Sequence, residues 1–533
     1  MEPILKSILE NKTENYLLPF FWQHDGHDAE IPARVQKIYE SGCRAFCVES
    51  RPYEHFCEDA WWKTMDTILA EAEKRGMRVW ILDDKHFPTG YANSILEHED
   101  LNLRRKFLRE SHVDVMGPMA EASVLVPMHT PEEKLVSAVL FRRTGKDEEL
   151  TGEPIELDVQ PEDKFVYFSV PEGLYRVFFV FETFSGEENK KYYIDMLSKE
   201  SVHKLIEAVY EPHYDHYAKY FGNTLAGFFS DEPQMGNCGG SSLPGIAQMG
   251  NDKMTLSWCA QLEEELKEEW GPLFLQVLVA CWYDVPQFSP AARLSYMDHV
   301  SRLFQENFSQ QVGDWCRAHG VEYIGHIIEG SHARLGHGPG HFFRALWGQD
   351  MSGVDVVLQQ IRPGLEDTPF YRIDGVDVYN GEMFHNILAK MGSSLGQIDP
   401  KKKGRTMCEI FGAYGWSEGL KLMKWLTDHM LVRGINYFVP HAFTMAQFPD
   451  PDCPPHFGAE GHDPQFDGFR HLMRALNKET HLLFGGTHIA DAAILYHAEA
   501  EWMNCDFINH KNRYMLTEAP AKVLYDDQLD FDI

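Results

Sequence analysis

Apolar positions along the chain alternate between two rhythms. Ile31, Val35 and Ile38 fall at helical spacing, and Gly42 then precedes Cys43-Arg44-Ala45-Phe46-Cys47-Val48. Trp61, Met65, Ile68 and Ala72 repeat that spacing before Gly76 and Met77-Arg78-Val79-Trp80-Ile81-Leu82. The order returns with the helix through Trp315, then Gly320 and Val321-Glu322-Tyr323-Ile324. It returns again with Leu420, Met423, Leu426 and Met430, then Gly434 and Ile435-Asn436-Tyr437-Phe438-Val439. Glycine takes the left-handed cap position at low steric cost, so it ends the helix and turns the chain. Amphipathic helices alternating with apolar strands predict a parallel sheet covered by helices.

Strands are expected at 17–22, 43–48, 77–82, 224–230, 321–327, 354–360, 405–409 and 435–439. Eight strand–helix units predict an α/β chain folded as a (β/α)₈ TIM barrel, with its site at the C-terminal strand ends. An open doubly wound sheet is the alternative, but no Gly-rich phosphate fingerprint follows an early strand. Residues 111–197 break the rhythm. Lys164–Val170 and Tyr175–Phe181 alternate with period two and are separated by Pro171-Glu172-Gly173, which predicts an antiparallel β insertion after strand three. Residues 232–252 are rich in Gly and Ser and read as a loop over the barrel mouth. After Gly485-Gly486, the run Ile489–Tyr496 reads as the first strand of another α/β domain. The chain ends about 45 residues later, short of the ~50–250 residues of a usual domain, so that unit reads as truncated. The expected division is therefore barrel (1–110), β insertion (111–197), barrel (198–484) and the start of an α/β domain (485–533).

The charge narrows the partners. The 81 acidic against 49 basic residues give a net charge of −32, which disfavours nucleic acid and anionic membrane surfaces. No stretch reaches the ~20 apolar residues of a membrane span. The start, Met1-Glu2-Pro3-Ile4-Leu5-Lys6, lacks a signal-peptide pattern. Ten cysteines lie scattered from Cys43 to Cys505, and Cys43 and Cys47 have no matching second pair. Reduced core thiols in a cytoplasmic protein are the expectation.

The predicted strand ends are polar: Trp22-Gln23-His24, Glu49, Asp83-Asp84-Lys85-His86, Asp231-Glu232, His326 with Glu329, Gln359-Gln360, Glu409 and His441. Glu232 and Glu409, ending strands four and seven, are the candidate catalytic pair. One would protonate a leaving glycosidic oxygen, and the other would attack the anomeric carbon or activate water. Glu49, Asp84, Lys85, His86, Asp231, His326, Glu329 and His441 are candidates for binding sugar hydroxyls. Trp22, Tyr414 and Trp416 are candidates for stacking on sugar rings. Two rival readings stand beside this one. A non-catalytic carbohydrate-binding barrel would keep the shape alone. A metal-dependent hydrolase would use His326, Glu329 and His332, although their spacing matches no closed metal site, and no metal is assigned. No Gly-x-Ser-x-Gly elbow and no EF-hand pattern is present.

Several stretches carry a family likeness: Pro19-Phe20-Phe21-Trp22, Trp80-Ile81-Leu82-Asp83-Asp84 with Pro88-Thr89-Gly90, Gly227-Phe228-Phe229-Ser230-Asp231-Glu232-Pro233 and Arg433-Gly434-Ile435-Asn436. In this order the chain resembles large bacterial (β/α)₈ glycoside hydrolases. The likeness is strongest to the family 106 α-L-rhamnosidase group and more distant to family 42 β-galactosidases. The resemblance implies hydrolysis of a terminal sugar from an oligosaccharide, with Glu232 as acid/base and Glu409 as nucleophile. The wider clan has Asn before the strand-four Glu, where this chain has Asp231. The rhamnosidases invert and hold calcium, so the resemblance implies calcium where the residues alone imply no cofactor. A homo-oligomer is compatible with it.

Overall fold

The computed structural model describes residues 2–144, 149–160, 162–187, 190–238, 249–250, 252–328, 338, 340–367, 369–371, 378–503 and 517–533. In chain order the strands begin with β1 (Phe20–Gln23), β2 (Ala45–Ser50) and β3 (Arg78–Leu82). Then come β4 (Lys106–Leu125), β5 (Lys134–Thr144), β6 (Glu149–Glu156) and β7 (Phe165–Thr183). They continue with β8 (Leu225–Asp231), β9 (Leu256–Trp258), β10 (Glu322–His326) and β11 (Ser352–Val356). Beyond the short hairpin of β12 (Pro369–Tyr371) and β13 (Val378–Asn380) lie β14 (Thr406–Ile410), β15 (Tyr437–Pro440) and β16 (Phe443–Thr444).

Two parallel sheets form the centre. One runs β10-β8-β3-β2-β1-β16 and the other β11-β14-β15. They approach each other at both edges. On one side Leu17 bridges Phe438 in parallel sense. On the other, the Asp350 amide donates to the Tyr323 carbonyl (2.7 Å), and the Asp350 side chain accepts from the Tyr323 amide (2.9 Å). Glycine permits this second approach, because a Cβ on Gly353 would lie 1.9 Å from the Gly325 carbonyl oxygen.

Each strand buries both faces, which explains its apolar composition. Phe20, Cys47, Leu82, Phe229, Ile324, Met351, Met407 and Val439 form one cluster shared by the two sheets. Their neighbours Phe21, Phe46, Ile81, Phe228, Tyr323 and Cys408 point the other way, into the helix layer. The helix Asp59–Lys74 shows how that layer is built. It buries Trp61, Met65, Ile68, Leu69 and Ala72, and Gly76 (φ 63°) then turns the chain toward β3.

The sixth strand is Ser352–Val356, earlier than the 354–360 expected. Leu358 (φ 55°) and Gln359 (φ 61°) take left-handed conformations that end the extended run, so Gln359 and Gln360 fall in a turn. The antiparallel sheet starts at Lys106, with order β6-β5-β7-β4-β9 and its own apolar cluster through Leu140, Val166, Val177 and Phe179. It recruits Leu256–Trp258 from far beyond the segment that period two marked out. Within the expected strand Ile489–Tyr496, only Ala492–Ala493 pairs, in parallel with Phe531–Asp532. The nine described cysteines are free, and burial pushes the Cys43 thiol up to about 12. No helix among the described residues is long and apolar enough to cross a membrane.

Candidate active site

The alternation that builds the inner cluster also builds the site. Two residues beyond Phe229, Ile324 and Met407, on the same strand faces, stand Asp231, His326 and Glu409. Two residues beyond Phe20 and Cys47 stand Trp22 and Glu49. Register puts Trp22 opposite Glu49, Asp231 opposite His326, and Asp355 opposite Glu409. The strands are parallel, so all these residues gather at one end. Asp355 is buried and was not among the expected site residues; the Val354-Asp355-Val356 alternation was its only signal.

At the centre, His326 Nε2 lies 2.9 Å from Glu409 Oε2 and 3.3 Å from Asp231 Oδ1. The three are 0%, 5% and 4% exposed, respectively. Burial pushes the Asp231 carboxyl well above the usual carboxylate range; the Glu409 charge adds to the shift, and His326 opposes it. That shift favours the neutral form of Asp231, and the 2.9 Å contact pairs His326 Nε2 with Glu409. Glu232, next in the chain, is half-buried and takes φ 43°, a left-handed conformation that an L residue adopts at a cost. Its charge acts on Lys190, opposing the lowering that burial imposes on that ammonium.

Around this centre the expected residues divide. Glu49 joins the rim through Arg51, whose Nη1 donates to Glu49 Oε1 (2.8 Å) and whose Nε donates to Asp452 Oδ2 (2.8 Å). Burial raises the Glu49 pKa against the pull of Arg51. His441 is buried with its ring edge-on to Trp22 at 4.7 Å, and burial drives its pKa well down. Trp416, 39% exposed and beside Phe448, presents an accessible aromatic surface. Lys85 and His86 sit on the partly exposed loop after β3. Glu329 and His332 lie outside the described residues, as does most of the 232–252 loop.

Three of the expected residues are already engaged within the protein. Trp22 is fully buried under the Arg51 guanidinium, 4.3 Å from its ring, so its face is already covered. Tyr414 is buried with its hydroxyl donating to the Ile361 carbonyl (3.0 Å), which is a packing role. Asp84 accepts from the backbone amides of Lys85, Gly90, Ala92 and Asn93 at 2.7–2.9 Å, which occupies both oxygens and fixes the loop. Asp83 beside it accepts from the hydroxyls of Thr89 (2.6 Å), Tyr210 (2.5 Å) and Ser230 (2.5 Å).

The donor set offers a test for metal. One oxygen each of Asp231 and Glu409 and one His326 nitrogen lie within 4.8 Å of one another. Calcium takes six to eight oxygen ligands, so a set centred on imidazole suits it poorly. One nitrogen and two carboxylates suit zinc, manganese or iron better.

No protein-family model matches the chain, and no curated protein matches it in sequence. Solved structures share its fold. The rhamnosidase from Novosphingobium sp. PP1Y superposes with a TM-score of 0.61 at 10% identity, over 92% of this chain and 61% of that one. The β-galactosidase from the Antarctic haloarchaeon Halorubrum lacusprofundi gives 0.54 at 12% identity, over 97% and 66%. A catalytic mutant of a family 42 β-galactosidase from G. stearothermophilus gives 0.53 at 10% identity, over 98% and 66%. The chain thus spans roughly three fifths to two thirds of the length of these structures. The fold is α/β and is shared with glycoside hydrolases; identities this low speak for the fold alone.

Asp83 yields a pH prediction. Burial raises its pKa from 3.8 to about 7. Between these values the folded protein binds more protons than the unfolded chain, so this group's contribution to stability declines as pH rises from 4 to 7. The slope is on the order of 1 kcal/mol per pH unit. Asp83→Asn should flatten that part of the stability–pH curve, read by urea denaturation. An unchanged curve would contradict the assignment.

Proposed function

We propose that the protein is a glycoside hydrolase that removes a terminal sugar from an oligosaccharide, and that its two parallel sheets are arcs of one closed (β/α)₈ barrel. The Leu17–Phe438 bridge, the Asp350–Tyr323 contacts and the apolar cluster common to both sheets support closure. The observation that carries the function is the buried Asp231–His326–Glu409 cluster at one end of that core, in a fold shared with a rhamnosidase and β-galactosidases.

In this reading Glu409 is the anion that faces the anomeric carbon, as nucleophile or as base toward water. The His326 N–H orients it. Asp231, kept protonated by burial, withdraws one negative charge from its side. Glu232, half-buried at the strand tip, protonates the leaving oxygen. Arg51 holds Glu49 at the rim for sugar hydroxyls, and Trp416 offers a face for a sugar ring. Glu232→Gln and Glu409→Gln should each lower aryl-glycoside hydrolysis by ~10²-fold or more, with folding unchanged by circular dichroism. Full activity in either variant would remove that residue from the pair.

A second reading comes from the spacing of the donor atoms. In a metal-dependent hydrolase, Asp231, His326 and Glu409 would hold a divalent ion that supplies Lewis-acid chemistry. The two readings separate on chelation. The carboxylate reading expects activity to survive EDTA and elemental analysis to find less than one ion per chain. Loss of activity on chelation, restored by zinc or manganese, would favour the second.

A further inference from the structure

The opposite ends of the same strands enclose a separate cavity of about 550 Å³. Its walls come from strand beginnings: Ala45 and Arg78 open β2 and β3, Glu322 opens β10, Arg405 precedes β14, and Tyr437 opens β15. From Ala45 to Glu49 is four residues along one strand, so the cavity and the catalytic rim lie about 13 Å apart. Both sheets contribute to it.

Its charges are unevenly matched. Arg405 is satisfied by Glu322 Oε1 (2.8 Å) and by the carbonyls of Asp350 (2.9 Å) and Lys402 (3.3 Å). The Arg44 guanidinium donates to the carbonyls of Tyr39 (2.8 Å) and Cys43 (3.0 Å) and stacks on Tyr39, and no carboxylate pairs with it among the described residues. Arg78 is exposed; its guanidinium lies 5.4 Å from the Trp80 ring and makes no hydrogen bond or ion pair among the described residues. Against these three arginines the lining sets Glu322, already paired, and Glu14, which is exposed. A chain of net charge −32 thus places a local positive excess around one cavity. The walls are also aromatic. Trp80 is buried, and its indole N–H has no partner among the described residues. The Arg78 guanidinium and the Trp80 indole N–H are open donors, and flat apolar surfaces stand beside them. A guanidinium next to an aromatic wall suits an anionic group carried on a ring.

We propose that this basal cavity binds a small ring-bearing anion, a carboxylate or a phosphate, at a site distinct from the catalytic rim. Arg78 is the principal contact, with Arg44 adding long-range attraction. Isothermal titration of the full chain with benzoate and, separately, with glucose 6-phosphate tests this and distinguishes the two anionic groups. Saturable one-to-one binding of either probe is expected. Arg78→Ala should weaken it by ~10-fold or more, the loss typical of a charge-assisted hydrogen bond. Arg78→Lys should retain part of it, which separates lost charge from disturbed folding. Binding should persist when an aryl glycoside fills the rim. No saturable binding of either probe, equal affinity in Arg78→Ala, or displacement by the glycoside would overturn the proposal.

Discussion

His326 places one imidazole nitrogen within reach of two buried carboxyl groups, and the rim is organised around that contact. Two carboxylates this deeply buried repel each other, and one N–H cannot fully serve both. Burial, which pushes the Asp231 carboxyl well above the usual carboxylate range, eases the conflict and leaves His326 nearest Glu409. The contact exists because β8, β10 and β14 each place a polar side chain two residues beyond an apolar one, on the same face. Phe229, Ile324 and Met407 form the floor, and Asp231, His326 and Glu409 stand on it. The apolar floor excludes water from below, which strengthens the electrostatic coupling above it.

Much of this was legible in the sequence. The helix–glycine–strand rhythm indicated parallel strands under helices, since Trp61, Met65 and Ile68 could only share a buried helix face. The polar character of the strand ends was legible because charge at the end of an apolar strand has few places to go. Less was legible where tertiary contacts decide. Glu232 and Asp231 are adjacent, and composition cannot say which one meets His326; the register of β8 with β10 sets Asp231 there. Trp22 and Tyr414 read as sugar platforms, yet Arg51 covers one and Ile361 binds the other. Asp84 read as a binding group, yet four backbone amides converge on it. Asp355 went unnoticed because the sixth strand ends earlier than its apolar run implied, at the turn through Leu358 and Gln359.

The two ends of the strand bundle differ in kind. At the C-terminal ends, carboxyl groups outnumber cations and are buried. At the N-terminal ends, arginines outnumber open acidic groups and line an accessible cavity. The chain's overall acidity hides this polarity. Both sets sit on the same rigid strands, so a ligand at either end meets side chains fixed by a close-packed core.

The most direct measurement is a crystal structure of the Glu232→Gln protein with an aryl glycoside that the native protein cleaves. The account predicts a sugar ring at the rim, its anomeric carbon within ~3.5 Å of a Glu409 oxygen or of a water held by it, and His326 still bonded to Glu409. A glycoside bound away from the rim, or a metal ion seated between Asp231, His326 and Glu409, would contradict it.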